Sequence, residues 1–107
     1  MYAYLVEVGI LLTKEDEEFE AYSGVYNRIY GFYDEDQYYV KEKEVAILNA
    51  KNYVEKGVEN TYAIVSGTIL PEDFDFENGV VEDAEYNMEN VVYSVAKFNG
   101  ELVENFL

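Results

Sequence analysis

The strongest constraint on the fold is an apolar run near the start of the chain, over residues 2–13. Tyr, Leu, Val and Ile dominate this run, and Glu7 is its only charged residue. β-Branched and aromatic residues favour extended backbone, and a continuous apolar run bounded by polar residues is typical of a buried strand. The run therefore predicts a central strand of a sheet.

One stretch, residues 42–56, has clear helical periodicity. Its apolar residues are spaced by three and four and form one stripe: Ala46, Ile47, Ala50, Tyr53 and Val54. Glu42 and Glu44 fall in the first turn and Lys56 in the last turn, which suits the helix dipole. Gly57 is expected at the C′ position, where helices often end in a left-handed residue.

Two further regions predict strands. Residues 61–70 are rich in β-branched and aromatic residues. Near the C-terminus, Asn99 and Gly100 lie between the apolar runs 91–98 and 101–106. An Asn-Gly pair between such runs indicates a β-hairpin with a type I′ turn.

Residues 22–33 fit either a helix or a strand. Three tyrosines recur at every fourth position, which suits one face of either element: Tyr22, Tyr26 and Tyr30. Gly24 and Gly31 disfavour a helix by about 1 kcal/mol each relative to Ala, so we predict a strand. Residues 34–37 are then expected to form a turn, and 38–40 a short returning strand.

These elements predict a single α+β domain over residues 1–107. An antiparallel sheet of about five or six strands would carry one packed helix, a common layered arrangement. The length of 107 residues fits one domain, since domains cluster at about 100–150 residues. Residues 71–90 are expected to form a long acidic loop, with a short strand at 79–81.

Composition excludes several classes of function. The chain has no Cys and no His, so it has no zinc–thiolate site, no disulfide and no His-based catalytic triad. No apolar run is long enough to span a membrane, and the N-terminus lacks the basic region of a signal peptide. We therefore expect a soluble cytoplasmic protein with no cofactor.

The net charge is the most unusual property of the chain. Asp and Glu number 23 against 7 Lys and Arg, which gives a formal net charge of −16. Such a protein repels nucleic acid and anionic membranes, because binding to both depends on Lys and Arg. Its expected partners are cationic: metal ions or a basic protein surface.

The acidic residues are clustered along the sequence. Solubility of a small domain needs a net charge of magnitude of only about 2–8, so a surplus of this size suggests a binding role. The segment 71–90 is the first choice for a contact surface, followed by two shorter clusters. The predicted contact residues are Glu72, Asp73, Asp75, Glu77, Glu82, Asp83, Glu85, Glu15, Asp16, Glu17, Glu18, Asp34, Glu35 and Asp36.

Imitation of DNA is one role that such a charge could serve. A domain of this length is roughly 35 Å across, and about 20 phosphates line that length of duplex. A net charge of −16 on one such body is a similar density. The 12 Tyr also exceed what a small core absorbs, and Tyr is a favoured interface anchor.

Metal binding and catalysis receive weaker support. Asp73, Asp75 and Glu77 have part of the spacing of an EF-hand loop, but Gly79 and Glu85 each fall one residue late for that motif. Paired carboxylates can act as glycosidase acids and bases, but no acid pair stands out from the others. We predict no metal site and no catalytic residues.

In small size, predicted α+β fold, Tyr-rich strands and extreme acidity, the whole chain resembles phage-encoded anti-defence proteins, the anti-CRISPR and anti-restriction DNA mimics. The resemblance lies in type and composition, and no diagnostic motif carries it. It implies a stoichiometric inhibitor that occupies the nucleic-acid site of a defence nuclease. Such proteins share no single fold, so the resemblance assigns no residue by position.

The leading hypothesis is therefore a non-catalytic inhibitor that binds the basic groove of a bacterial nuclease, such as a CRISPR effector. One alternative is an interaction module of a phage or mobile element that acts through a sheet edge or as a homodimer. Another is an allosteric inhibitor that binds away from the nucleic-acid site.

Overall fold

The computed structural model describes residues 1–13, 29–77 and 90–107. Five strands and one helix lie within these ranges. In chain order they are β1 (Tyr2–Thr13), β2 (Ile29–Val40), α1 (Lys43–Lys56), β3 (Thr61–Ile69), β4 (Val91–Phe98) and β5 (Glu101–Glu104).

The five strands form one antiparallel sheet in the order β2-β1-β3-β4-β5. The helix packs mainly on β3, β1 and β4. This arrangement confirms the predicted α+β fold. It also confirms that β1 is an inner strand, because β1 pairs with β2 along one edge and with β3 along the other.

Each face of the sheet carries its own apolar cluster. On the helix face, Ala46, Ala50 and Val54 of α1 pack against buried side chains of the strands: Val6, Val8, Ala63, Val65, Tyr93 and Val95. The predicted helical stripe is thus confirmed, with small residues where the helix approaches the sheet.

A second cluster lies on the opposite face. Its buried members are Leu11, Tyr62, Ile64, Ala96, Phe98 and Phe106. Phe106 follows β5 and packs edge-on against Phe98, with the ring centroids 6.2 Å apart. Because side chains alternate along a strand, β3 contributes Tyr62 and Ile64 to this face while its intervening residues face the helix.

The helix ends without the left-handed residue that the sequence predicted. Gly57 has φ −82° and ψ 174°, which is extended backbone. A Cβ at this position would press on Thr61, so the glycine serves close packing. The C-terminus is capped instead by Lys97, whose Nζ donates hydrogen bonds to the carbonyls of Glu55 and Gly57, both at 2.8 Å.

The turn between β4 and β5 confirms the predicted hairpin. Asn99 and Gly100 both have positive φ, at 55° and 78°, as a type I′ turn requires. The Glu59 carboxylate accepts hydrogen bonds from both backbone N–H groups, at 2.6 and 3.1 Å. The turn is therefore stabilised by the backbone preferences of Asn99 and Gly100 and by the Glu59 side chain, which belongs to the loop that follows α1.

The predicted turn at residues 34–37 is wrong. β2 runs without interruption from Ile29 to Val40, so 38–40 continue the strand and do not form a returning one. A β-bulge is present instead: Asp34 pairs with Gly9 and Asp36 pairs with Val8. One residue, Glu35, is therefore extra on β2, and the acidic run bends the strand without ending it.

Gly9 permits the close approach of β2 at this bulge. A Cβ on Gly9 would overlap the backbone carbonyl of Tyr33. Backbone atoms cannot move aside as easily as the end of a flexible side chain can. The register at the bulge therefore depends on the absence of a side chain at Gly9. Residues 29–33 of the strand predicted over 22–33 lie in β2, which confirms that part; residues 22–28 and the short strand predicted at 79–81 lie outside the described residues.

We predict that Gly9→Ala lowers the free energy of unfolding by about 1–3 kcal/mol, because the new methyl group forces β2 away from β1. The measurement is urea denaturation followed by circular dichroism. Gly31→Ala is the matched control on the partner strand, since its Cβ would meet only the Leu12 side chain, at 3.3 Å. Equal losses in the two variants would contradict the assigned role of Gly9.

Candidate functional site: an acidic edge of the sheet

Half of the predicted contact residues lie within the described part of the chain. These are Asp34, Glu35 and Asp36 on β2, and Glu72, Asp73, Asp75 and Glu77 after β3. The other half lie outside the described residues, and they are Glu15, Asp16, Glu17, Glu18, Glu82, Asp83 and Glu85.

Residues 71–77, here called the acidic segment, are held against the sheet by aromatic side chains. Phe74 packs edge-on against Tyr39 of β2, with ring centroids 5.3 Å apart, and Phe76 packs on Phe74 at 5.2 Å. Both phenylalanines are half-buried. The acidic side chains between and beside them are all exposed: Glu72, Asp73, Asp75 and Glu77.

Local hydrogen bonds fix the path of the acidic segment. Phe74 N–H donates to the Pro71 carbonyl at 3.1 Å, which closes a turn. Glu77 N–H donates to Oδ1 of Asp75 at 2.9 Å. The Glu72 carboxylate lies 3.1 Å from the amino group of Met1. The segment is therefore an ordered loop with its carboxylates directed outward.

The contact between Phe74 and Tyr39 places both described acidic clusters along the β2 edge of the sheet. Asp34 to Asp36 precede Tyr39 on β2 by five to three residues. At a strand rise of about 3.3 Å per residue, they lie about 10–16 Å along the strand from this contact. We call Asp34, Glu35 and Asp36 together with the acidic segment the acidic edge.

Apart from the Met1 amino group beside Glu72, the described positive charges lie mainly at the helix. The structure describes five lysines. Four lie on α1 or on the residues that lead into it, and the fifth reaches the carboxyl end of the helix: Lys41, Lys43, Lys51, Lys56 and Lys97. Lys51 is also paired with Glu104 at 3.0 Å. Among described residues, the acidic segment and the sheet face away from α1 carry no lysine.

The bulge sends neighbouring acids of β2 to different faces. Asp36 pairs with Val8, which packs under the helix, and Glu35 accepts a hydrogen bond of 2.9 Å from the hydroxyl of Tyr53 on α1. Asp34 lies on the opposite face. A regular strand would have placed Asp34 and Asp36 on the same face.

Asp34 belongs to a polar cluster that the sequence analysis missed. Its Oδ1 accepts a hydrogen bond from the hydroxyl of Tyr62 on β3. Its carboxyl group also interacts with that of Glu7 on β1, which is only 3% exposed. Within the described residues, Oε1 of Glu7 has no hydrogen-bond partner. Three adjacent strands thus bring two carboxyl groups and a phenol together.

Burial changes the ionisation of the two acids. Desolvation, followed by repulsion from Asp34 and a hydrogen bond to it, raises the pKa of Glu7 from 4.5 to about 7. Desolvation also raises the pKa of Asp34, while the hydrogen bond from Glu7 opposes that rise. Glu7 is therefore the proton donor of the pair, and the two groups share a proton near neutral pH.

A small cavity adjoins this pair. Its volume is about 90 Å³, and its lining consists of Glu7, Phe32, Asp34, Tyr62 and Ile64. The rings of Phe32 and Tyr62 meet edge-on with centroids 5.3 Å apart. The walls are mainly aromatic and aliphatic, so the carboxyl groups stand in surroundings of low polarity.

One signal in the sequence pointed to this cluster. Glu7 is the only charge in an otherwise apolar central strand, and a buried acid needs a proton or a partner. Its partners come from β2 and β3, and Gly9 within the apolar run is the one local signal for the bulge that turns Asp34 toward it. The sequence therefore indicated that Glu7 is unusual, but it did not predict that Glu7 pairs with Asp34.

The cluster has a limited chemical repertoire. Its cavity is well below the roughly 300–1,000 Å³ of ordinary substrate sites. The two carboxyl groups touch each other, whereas glycosidase pairs stand about 5–10 Å apart. No group of three or more potential metal-ligating acids occurs among the described residues. The geometry favours the binding of a small cation-bearing group.

No protein-family model, curated protein or solved structure matches this chain. The described residues also include no helix with the length and apolar character needed to cross a membrane. The function is therefore inferred from the charge distribution and from the acid pair.

We predict that Glu7→Gln stabilises the protein above pH 7 by about 3 kcal/mol and has little effect near pH 4.5. The folded state of the wild type binds more protons than the unfolded state between pH 4.5 and about 7. Its free energy of unfolding therefore falls as the pH rises through this window, and Gln removes that loss.

Thermal unfolding of both proteins from pH 4.5 to 8.5 measures the effect. Asp73→Asn, at an exposed position, is the control for loss of one acidic side chain. Parallel pH profiles for the wild type and Glu7→Gln would contradict a shared proton in the Glu7–Asp34 pair.

Proposed function

We propose that this protein is a non-catalytic inhibitor that binds, through its acidic edge, the basic groove in which a bacterial defence nuclease such as a CRISPR effector holds nucleic acid. The carrying observation is the ordered acidic segment packed on β2, beside the acids of the same strand. Carboxylates that are fixed in place before binding lose less conformational entropy in a complex.

The separation of charge supports this proposal. The described lysines lie in or against the helix layer. Lys56 lines a cavity together with Glu35, so the separation of charge is clearest on the sheet face away from α1, where Asp34 lies. The molecule is 44 Å long, and about 26 phosphates line that length of duplex DNA. A net charge of −16 on such a body gives an electrostatic field that attracts a groove built for DNA.

Exposed aromatic side chains lie close to these carboxylates. Phe32 and Tyr33 of β2 are 39% and 62% exposed. Aromatic anchors within a charged rim are typical of interface hot spots. The acidic edge therefore offers both long-range attraction and groups that can fill pockets of a partner.

The main alternative is an interaction through the edge of β2, including pairing with a second copy of the chain. β2 is the outermost of the described strands on its side of the sheet, and it spans 12 residues. A homodimer through this edge would bring two copies of Asp34, Glu35 and Asp36 together, and like charges opposed across strands are destabilising. A basic partner has no such penalty.

A panel of purified CRISPR effectors and restriction endonucleases tests the proposal. DNA binding by each enzyme is measured by fluorescence anisotropy with increasing amounts of the protein. We expect at least one enzyme to lose DNA binding in direct competition with DNA, with inhibition weakened between 0.1 and 1 M salt as the Debye length falls from about 10 to about 3 Å. Inhibition that is not competitive with DNA would support an allosteric mechanism instead.

We predict that reversal of the charges on the acidic segment slows association with the inhibited enzyme at least tenfold and flattens its salt dependence. The variant carries Lys at four positions: Glu72, Asp73, Asp75 and Glu77. Its matched control makes the same change in net charge at exposed positions elsewhere: Glu42, Glu44, Glu55 and Glu101. Equal effects of the two variants would show that overall charge acts, and would overturn the assigned surface.

A further inference from the structure

We propose that the cavity beside Glu7 and Asp34 is a binding site for a primary ammonium group, specifically the side chain of one lysine of the basic partner. The inference deepens the proposed function, since it names a chemical group that the partner inserts. The site lies on the face of β2 opposite the helix, within the acidic edge.

The hydrogen-bonding groups of the cavity are mainly acceptors on acidic side chains, so they match a positively charged donor. Oε1 of Glu7 is buried and accepts no hydrogen bond from the described residues. Asp34 has a second carboxylate oxygen beside the one that Tyr62 occupies, and the Tyr62 oxygen can itself accept. An ammonium group has three donors and no acceptor. Its donors therefore match the acceptors at this site.

The size of the cavity favours ammonium over guanidinium. An apolar cavity of about 150 Å³ holds one benzene molecule, which has six heavy atoms. By the same scale, about 90 Å³ holds three or four heavy atoms. This number suits an ammonium nitrogen with two or three methylene groups, whereas the guanidinium of Arg uses four heavy atoms before its aliphatic stem begins.

The apolar walls suit the remainder of a lysine side chain. Phe32 and Ile64 can cover its methylene groups, and an aromatic ring near a cation contributes a favourable cation–π interaction. Asp34 and Phe32 are both exposed, so the cavity reaches solvent on the side of β2. A fully hydrated metal ion would leave these apolar walls without a partner.

Entry of the ammonium group displaces the proton that the two acids share. The cation takes over the role of that proton in relieving repulsion between Glu7 and Asp34, and the proton passes to solvent. Because the pKa of Glu7 is about 7, affinity for the ammonium group is expected to rise from pH 5 to pH 8.

The first experiment titrates the intact protein with n-butylammonium, an analogue of the lysine side chain, and follows the carboxyl ¹³C shifts by NMR at pH 5, 6, 7 and 8. We expect saturable shifts at Glu7 and Asp34, with binding at least tenfold tighter at pH 8 than at pH 5. Glu7→Gln and Asp34→Asn should each weaken binding at least tenfold, while Asp73→Asn should leave it unchanged.

Other probes decide between the possible ligands. Tetramethylammonium carries the charge without N–H donors, and an equal response to it would overturn the hydrogen-bonded site. Tighter binding of methylguanidinium would overturn the assignment to lysine. Shifts spread over all carboxylates without saturation would show general screening only, and tight binding of Ca²⁺ at the pair would indicate a metal site.

The second experiment separates this inference from the proposed function. If butylammonium binds the pair but no nuclease is inhibited, the pocket stands and the proposed function fails. If a nuclease is inhibited and neither Glu7→Gln nor Asp34→Asn weakens its binding, the function stands and the lysine pocket fails. Loss of nuclease affinity in both variants, with the control Glu101→Gln at an exposed position of β5 unaffected, is the result that supports both.

Discussion

The close approach of β2 to Gly9 determines where the acidic side chains of this sheet lie. Because Gly9 has no side chain, the Tyr33 carbonyl can lie against β1, and one extra residue of β2 fits opposite Val8 and Gly9. The bulge directs Asp34 away from the helix and leaves Asp36 on the helix face. Without the bulge, Asp34 would not be directed toward Glu7, and the two carboxyl groups would not form a pair.

The second arrangement that depends on tertiary contacts is the position of the acidic segment. Its two phenylalanines give it an apolar underside that packs on Tyr39, while its carboxylates remain in water. A flexible acidic loop would adapt to many partners and pay an entropic cost on binding. An anchored one presents a fixed pattern of charge, which the proposed imitation of a rigid polyanion would require.

The two acidic features of this edge have different physical properties. The exposed carboxylates act through a field that salt screens, and under the proposed function they would govern how fast a basic partner is captured. The Glu7–Asp34 pair is desolvated, so it holds a proton near neutral pH and acts only on a group that reaches it. Under the proposed function, the exposed carboxylates would attract a basic partner from a distance. The buried Glu7–Asp34 pair would recognise one cationic group of that partner at close range.

Local sequence determined the elements that depend on local physics. The helical stripe of α1, the apolar run of β1 and the Asn-Gly turn at residues 99–100 are all confirmed, because side-chain periodicity and backbone preference act within a few residues. The high negative charge is likewise a property of composition. Only the tertiary structure decided that residues 34–37 continue β2, that Lys97 reaches the carboxyl end of the helix, and that Glu7 meets Asp34. Each of these depends on which strand lies beside which, and that is set by the packing of residues far apart in the chain.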